Sequence, residues 1–374
     1  MISIFRNPLR CVFLFIFILF RCAADAQSAN PEDLIGKTSG GPVNGAFNNN
    51  RGVLKVPALG AVNRDLVVLF NLVSQTPFMN PQRGFETHLS QSSDPPNRFA
   101  GTVRTSTDLN FLFFEYYTDK RTGKIKRSGE FDANIEIMTN SIEGICKKLS
   151  VYTHDCDELK FPIFFNEIPV KARTGDYTEI EMDRHPFRIF AHRGKPLFTP
   201  LTRKEYLSFH LAFNQKRKND YAESLKDQQK IIQDDQIQIK NKNTTAEIKK
   251  VLEGVVRQMQ DVNIPQINEK IQEYNKKAED FRQRIAAMSP EESKAPAFIG
   301  EGYMSDLKAY GSTTGRPLFK INPDYWNKSL PEYATQLVVI TYWDNELLTV
   351  RFMQRRVKEI FGQIDFHKVG TVLQ

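Results

Sequence analysis

Between Thr202 and Met288 apolar residues recur every three or four positions, a helical period sustained far longer than a single packed helix needs. Thr202 followed by Glu205 has the spacing of a capping box, in which each side chain satisfies the other residue's backbone N–H. Leu207, Leu211, Tyr221, Leu225, Ile232 and Ile239 follow on a four-three spacing, with Asn214, Lys218, Gln228 and Asp235 in the slots between them. This is a heptad seam with polar interruptions, and it predicts a long helix that pairs with another. Thr244 and Glu247 repeat the capping signal and open a second helix striped by Ile248, Leu252, Val255, Met259 and Val262. Pro265 should then break the register, because proline has no N–H to give the helix. Beyond it Ile267, Ile271, Tyr274, Ala278, Phe281, Ile285 and Met288 form the cleanest stripe in the chain. Each arm would reach about 55 to 65 Å at 1.5 Å per residue, and the short polar turn near Lys240 to Asn243 should fold them into an antiparallel hairpin.

The flanking segments have a strand-like texture. Leu66 to Val73 is a continuous apolar run that predicts a buried strand, punctuated afterwards by Asn80-Pro81-Gln82-Arg83-Gly84. Leu109 to Thr118 is crowded with Phe and Tyr and predicts a second, with a turn at Asp119 to Lys124 and a returning partner over 125 to 138. Asn140 and Glu143 have capping-box spacing and predict a short helix over 141 to 149. Further strands are expected at 161 to 170, 177 to 182, 187 to 191 and Gln336 to Trp343. Asn345 to Phe361 reads as an amphipathic helix, and Ile364 to Val372 as a last strand. Gly194-Lys195-Pro196-Leu197-Phe198 before the hairpin is echoed by Gly315-Arg316-Pro317-Leu318-Phe319 after it. The echo suggests one body interrupted by an insertion. The fold class is therefore α+β: a β-rich globular body, residues 53–201 completed by 289–374, with a long antiparallel coiled-coil hairpin inserted at 202–288.

The N-terminus changes the expected compartment. Arg6 and Arg10 precede a short apolar run from Cys11 to Phe20, and Ala24-Asp25-Ala26 precedes Gln27. Basic end, apolar run and small residues at a cleavage site are the grammar of a signal peptide over 1–26, cut after Ala26. Export to the periplasm or beyond follows as the expectation. Residues 27–52 are rich in Gly, Asn, Ser and Pro and read as a flexible leader. Loss of three arginines and Asp25 with the signal lowers the formal charge from +7 to +5. That mild excess permits contact with an anionic envelope polymer but gives no reason to expect nucleic acid. Of four cysteines, only Cys146 and Cys156 survive cleavage, and in an oxidising compartment they are expected to form one disulfide.

The chain carries no phosphate-binding glycine loop, HExxH, GxSxG elbow or paired CxxC, and nothing in it calls for a cofactor. His154-Asp155-Cys156-Asp157-Glu158 resembles a ligand set, but adjacent residues on a short loop seldom converge on one ion, so no metal site is assigned. Glu115 shares a strand face with Phe111, Phe113 and Tyr117; buried there, its raised pKa would suit a general acid. Tyr325 and Trp326, beside a turn, could stack on a sugar ring, and Arg351 and Arg355 make the last helix basic enough for an anionic ligand. The leading reading is an exported binding or scaffolding protein that contacts a protein partner, or itself, through the coiled coil, because polar seam positions specify register and partner. A carbohydrate-acting envelope hydrolase built on Glu115 and an adaptor in a transport assembly are the alternatives.

Overall fold

The computed structural model of the protein describes residues 30–42, 58–94, 104–141, 145, 150–151, 153–162, 164–165, 168, 170–182, 184–191, 195–300, 306–312, 314–322, 324–344 and 351–374. The expected signal peptide, residues 27–29 and 43–52 of the expected leader, and most of the helix expected at 141–149 lie outside them. In chain order the strands are β1 (Thr38–Ser39), β2 (Phe85–Asp94), β3 (Ser106–Thr118), β4 (Ile125–Arg127), β5 (Ala133–Thr139), β6 (Ser150–Val151), β7 (Phe164–Phe165), β8 (Val170–Arg173), β9 (Thr178–Met182), β10 (His185–Ala191), β11 (Phe198–Pro200), β12 (Phe298–Ile299), β13 (Arg316–Pro317), β14 (Phe319–Ile321) and β15 (Leu337–Asp344). The helices are α1 (Ala58–Ser74), α2 (Thr153–Glu158), α3 (Arg203–Lys240), α4 (Ala246–Gln258), α5 (Ile264–Ala286), α6 (Pro290–Lys294) and α7 (Arg351–Gly362).

The fold is α+β. One large sheet runs in the order β1-β2-β3-β5-β15-β10-β9-β8, with β4 beside β3, and every pairing is antiparallel except β1 with β2. The centre is β15, whose continuous apolar run is explained by burial on both faces. Val338, Ile340 and Tyr342 point into one core with the inward faces of α1 and α7, whereas Leu337 and Val339 point into a second core. That second core is closed by the small sheet β11-β14-β7-β6 and by the first turns of α3, through Tyr206, Leu207 and Phe209.

The inserted hairpin takes the expected form. Thr202 and Glu205 make the capping box, and Tyr221 stacks on Tyr274 across the arms with ring centroids 5.7 Å apart. Two details differ. Thr245, not Thr244, caps the second arm, while Thr244 donates to the Gln238 carbonyl and closes the turn. Pro265 does not interrupt that arm: a π-helical turn, Met259–Asn263, precedes it and joins α4 to α5. The wider turn accommodates a residue that lacks the N–H of an ordinary helical position. Leu252, Val255, Val256 and Met259 are shielded, while Ile248, in the first turn of α4, and Val262, in the π turn, stand 50% and 44% exposed.

Other expectations are corrected in the body. Leu66 to Val73 lies within α1, because Val62, Leu66, Leu69 and Val73 share one helical face and are buried. A short apolar run fits either element, and here the stripe extends back past it. Residues 366–371 form a 3-10 helix rather than a strand. The Asn140 side chain ties the sheet together: it donates to the Thr105 and Ala334 carbonyls at 3.2 and 2.9 Å and accepts from the Gln336 N–H at 2.8 Å.

The leader is ordered where it is described. Its β1 extends the sheet, with Lys37 accepting from the Thr87 N–H at 3.0 Å and Leu34 from Gly84 at 2.8 Å. Gly36 and Gly40 serve close approach, since a Cβ there would stand 1.7 Å from the Phe85 and 2.3 Å from the Leu89 carbonyl oxygen. Gly36→Ala should therefore push this segment off the sheet, lowering stability by about 1 to 3 kcal/mol. Hydrogen exchange would register it as lost protection at the Thr87 amide.

Candidate functional site

Glu115 sits in β3 in step with Leu109, Phe111 and Phe113, and this alternation turns it toward the α1 and α7 side of the sheet. The carboxylate lies at the start of α7, where the Met353 N–H donates to its Oε2 at 3.3 Å. Burial pushes its pKa up to about 7; the Met353 hydrogen bond opposes this, and the nearby charges of Asp132 and Glu32 add to it. The geometry is that of a helix-terminal acceptor in a low-dielectric pocket. Tyr325 and Trp326 belong to the second core, on the other side of the sheet. They are 1% and 4% exposed, and the Tyr325 hydroxyl donates to the Gln336 carbonyl at 2.5 Å. They plug the core beneath their loop, so the expectation of an open stacking face is corrected.

The basic helix is used differently along its length. Arg351 is the first residue of α7. Arg355 is exposed and reaches Glu359 at 3.9 Å. The Arg356 guanidinium lies over the Phe78 ring, 4.2 Å from its centroid, and Lys358 pairs with buried Asp344 at 3.1 Å. Those two therefore serve the fold. Cys156 is a buried thiol on α2, pushed up to about 12 by burial, while its expected disulfide partner Cys146 lies outside the described residues. Among the described residues no cluster of three or more His, Cys, Asp or Glu has metal-binding geometry, and no helix is long and apolar enough to cross a membrane.

Two features of the hairpin are available to a ligand or partner. The first is distal. Of the twelve large hydrophobic side chains that stand exposed among the described residues, five, Ile231, Ile237, Ile248, Val251 and Val262, lie in the distal half of the hairpin, at 41% to 67% exposure, and the other seven are spread over the body. Ile248 and Val251 are one turn apart in the first turns of α4, next to the tip.

The second is a cavity of about 350 Å³ at the root, between α3, α5 and the segment at Asp306 and Leu307. Tyr206, His210 and Phe213 contribute rings from one arm, and Tyr274 and Phe281 from the other. His210 stacks on Phe281 at 5.3 Å, and burial holds it down to about 4, so it is a neutral ring at physiological pH. Three cations stand over three of these aromatics: Arg217 over Phe213 at 5.2 Å, Lys277 over Tyr274 at 5.5 Å and Arg284 over Phe281 at 5.6 Å. Lys277 also pairs with Glu273 at 2.6 Å and Arg284 with Asp280 at 3.6 Å, whereas Arg217 has no carboxylate partner among the described residues. A larger cavity of about 420 Å³ lies against β9 and β10, where Leu197, Phe198, Pro317 and Phe319 of the two echoed motifs meet. Glu115 lines neither cavity.

The root cavity is not among the features the sequence predicts, although Asn214, one of the polar seam residues, lies in its wall. The local signal is a cation three or four positions after each ring, at Phe213/Arg217, Tyr274/Lys277 and Phe281/Arg284. No protein-family model matches the chain, and no curated protein or solved structure is detectably similar to it.

The Glu115 environment has a measurable consequence. Its folded pKa lies above the ordinary 4.5, so the folded state holds the extra proton; that contribution is present below about 4.5 and is lost as the pH rises through about 7. Glu115→Gln keeps a neutral acceptor for Met353. Unfolding in urea at pH 5 and pH 8 should show a smaller loss of stability on alkalinisation in the variant than in the wild type. An equal loss in both would assign the pH dependence to other groups.

Proposed function

We propose that this chain is an exported binding or scaffolding protein that contacts a protein partner, or a second copy of itself, through the distal half of its helical hairpin. The observation that carries this reading is the distribution of exposed apolar side chains. The first turns of α3 are consumed by the body, which buries Tyr206, Leu207 and Phe209. The tip instead presents Ile237 at 67%, Ile248 at 50% and Val251 at 65% exposure, on arms already paired with each other. Large aliphatic side chains clustered on a projecting element are the usual mark of a contact surface. Each, already partly covered, would contribute roughly 1 to 2 kcal/mol if a partner buried the rest. Export rests on the N-terminal grammar: Arg6 and Arg10, the apolar run, and Ala24-Asp25-Ala26.

A photo-crosslinking side chain at position 237, 248 or 251 of the full chain, expressed in its own host, tests the surface directly. Discrete adducts are expected at these positions, at twice the chain mass for self-association or at a partner's added mass, and Ile248→Glu/Val251→Glu should abolish the adduct formed at 237. If adducts are no more abundant than at the exposed body positions Tyr117 and Trp343, the hairpin is not the contact surface.

A further inference from the structure

The root cavity is a different kind of feature from the tip, and its chemistry is independent of the partner-binding reading. We infer that this cavity binds a small planar aromatic anion, one or two fused rings carrying a carboxylate or sulfonate, held between the two arms of the hairpin. Size comes first. At about 350 Å³ the space lies at the lower end of ligand pockets, which run from about 300 to 1,000 Å³, so a polymer or a lipid does not fit inside it.

Chemistry then narrows the class. Five of the twelve lining side chains are rings, drawn from both arms, and an aromatic wall of this kind accepts a flat apolar body in edge-to-face or offset contact. Around them stand the cations Arg217, Lys277 and Arg284 against a single carboxylate, Asp306. His210 adds no charge, because it is neutral at physiological pH. A cation on the ligand would therefore meet three like charges, whereas an anion gains from them. The competing pairs Lys277–Glu273 and Arg284–Asp280 lie along one helix at spacings of four, where exposed ion pairs are weak enough to be exchanged for a better acceptor. Arg217 is already positioned over Phe213 and offers a planar fork that matches a carboxylate or sulfonate in two-point contact.

The larger cavity against β9 and β10 is lined chiefly by Ile180, Ile189, Leu197, Phe198, Pro317 and Phe319, with Arg173 and Lys195 exposed beside them. Its walls supply apolar area without the ring and cation pairing that selects a headgroup.

Isothermal titration of the full chain with 2-naphthoate is the test, with 2-naphthalenemethanol as a neutral analogue of the same shape. One saturable site is expected for the acid, with affinity about tenfold or more above that of the alcohol. Arg217→Gln/Arg284→Gln should erase most of that preference while leaving the melting temperature of the unliganded protein within a few degrees of the wild type. On the wild-type protein alone, raising the salt should weaken the acid and spare the alcohol, which keeps the test decisive if the variant folds poorly. The inference is overturned if the acid shows no saturable heat, if acid and alcohol bind equally, or if a folded double variant keeps the full preference.

Discussion

Everything distal to the body hangs on a short backbone clasp at the root of the hairpin. The strand that leads into α3, β11, is paired with β14, downstream of the return arm: Phe198 lies opposite Ile321 and Pro200 opposite Phe319. Leu201 donates to the Leu318 carbonyl at 2.9 Å and accepts from Ala297 at 2.8 Å, and the Arg203 N–H donates to Ala295 at 2.9 Å. The Arg203 guanidinium then reaches Glu292 at 2.9 Å and the Lys308 carbonyl at 2.7 Å. Without these bonds, the two ends of an insertion of some eighty residues would have to be brought together against chain entropy. With them, the arms start side by side and in register.

The sheet explains why the clasp is rigid enough to matter. Because β15 is buried on both faces, it serves as the shared wall of two cores and transmits no slack between them. One core is a helix layer on a sheet; the other joins the sheet to the base of α3 through Phe164, Tyr206 and Phe209, whose rings meet edge to face. The root cavity lies beside this second core. Its walls are therefore fixed by the body on one side and by the seam on the other, as a stacking site requires.

Much of the hairpin was legible in the sequence because its determinants are local. A capping box, a three-four apolar spacing and a polar turn act within a few residues of one another, and Thr202, Glu205, Tyr221 and Tyr274 do in the fold what their spacing predicts. What was not legible depended on the identity of a distant neighbour. Leu66 to Val73 fits a strand or a helix until its partners are known. Gly36 suggests flexibility until the Phe85 carbonyl is found against it. Tyr325 and Trp326 suggest an open stacking face, whereas the sheet closes over them. The root cavity needs residues near 210 to face residues near 280, a juxtaposition set by the length of the arms and by the clasp, not by either segment alone.

Small-angle scattering of the full chain in solution addresses the claim on which all of this depends, that the clasp holds two paired rods away from the body. The first dozen residues of α3 are embedded and some two dozen project, so the distance distribution should carry a tail extending about 35 to 40 Å beyond the globular part. A profile of a round particle, with no such tail, would contradict the account.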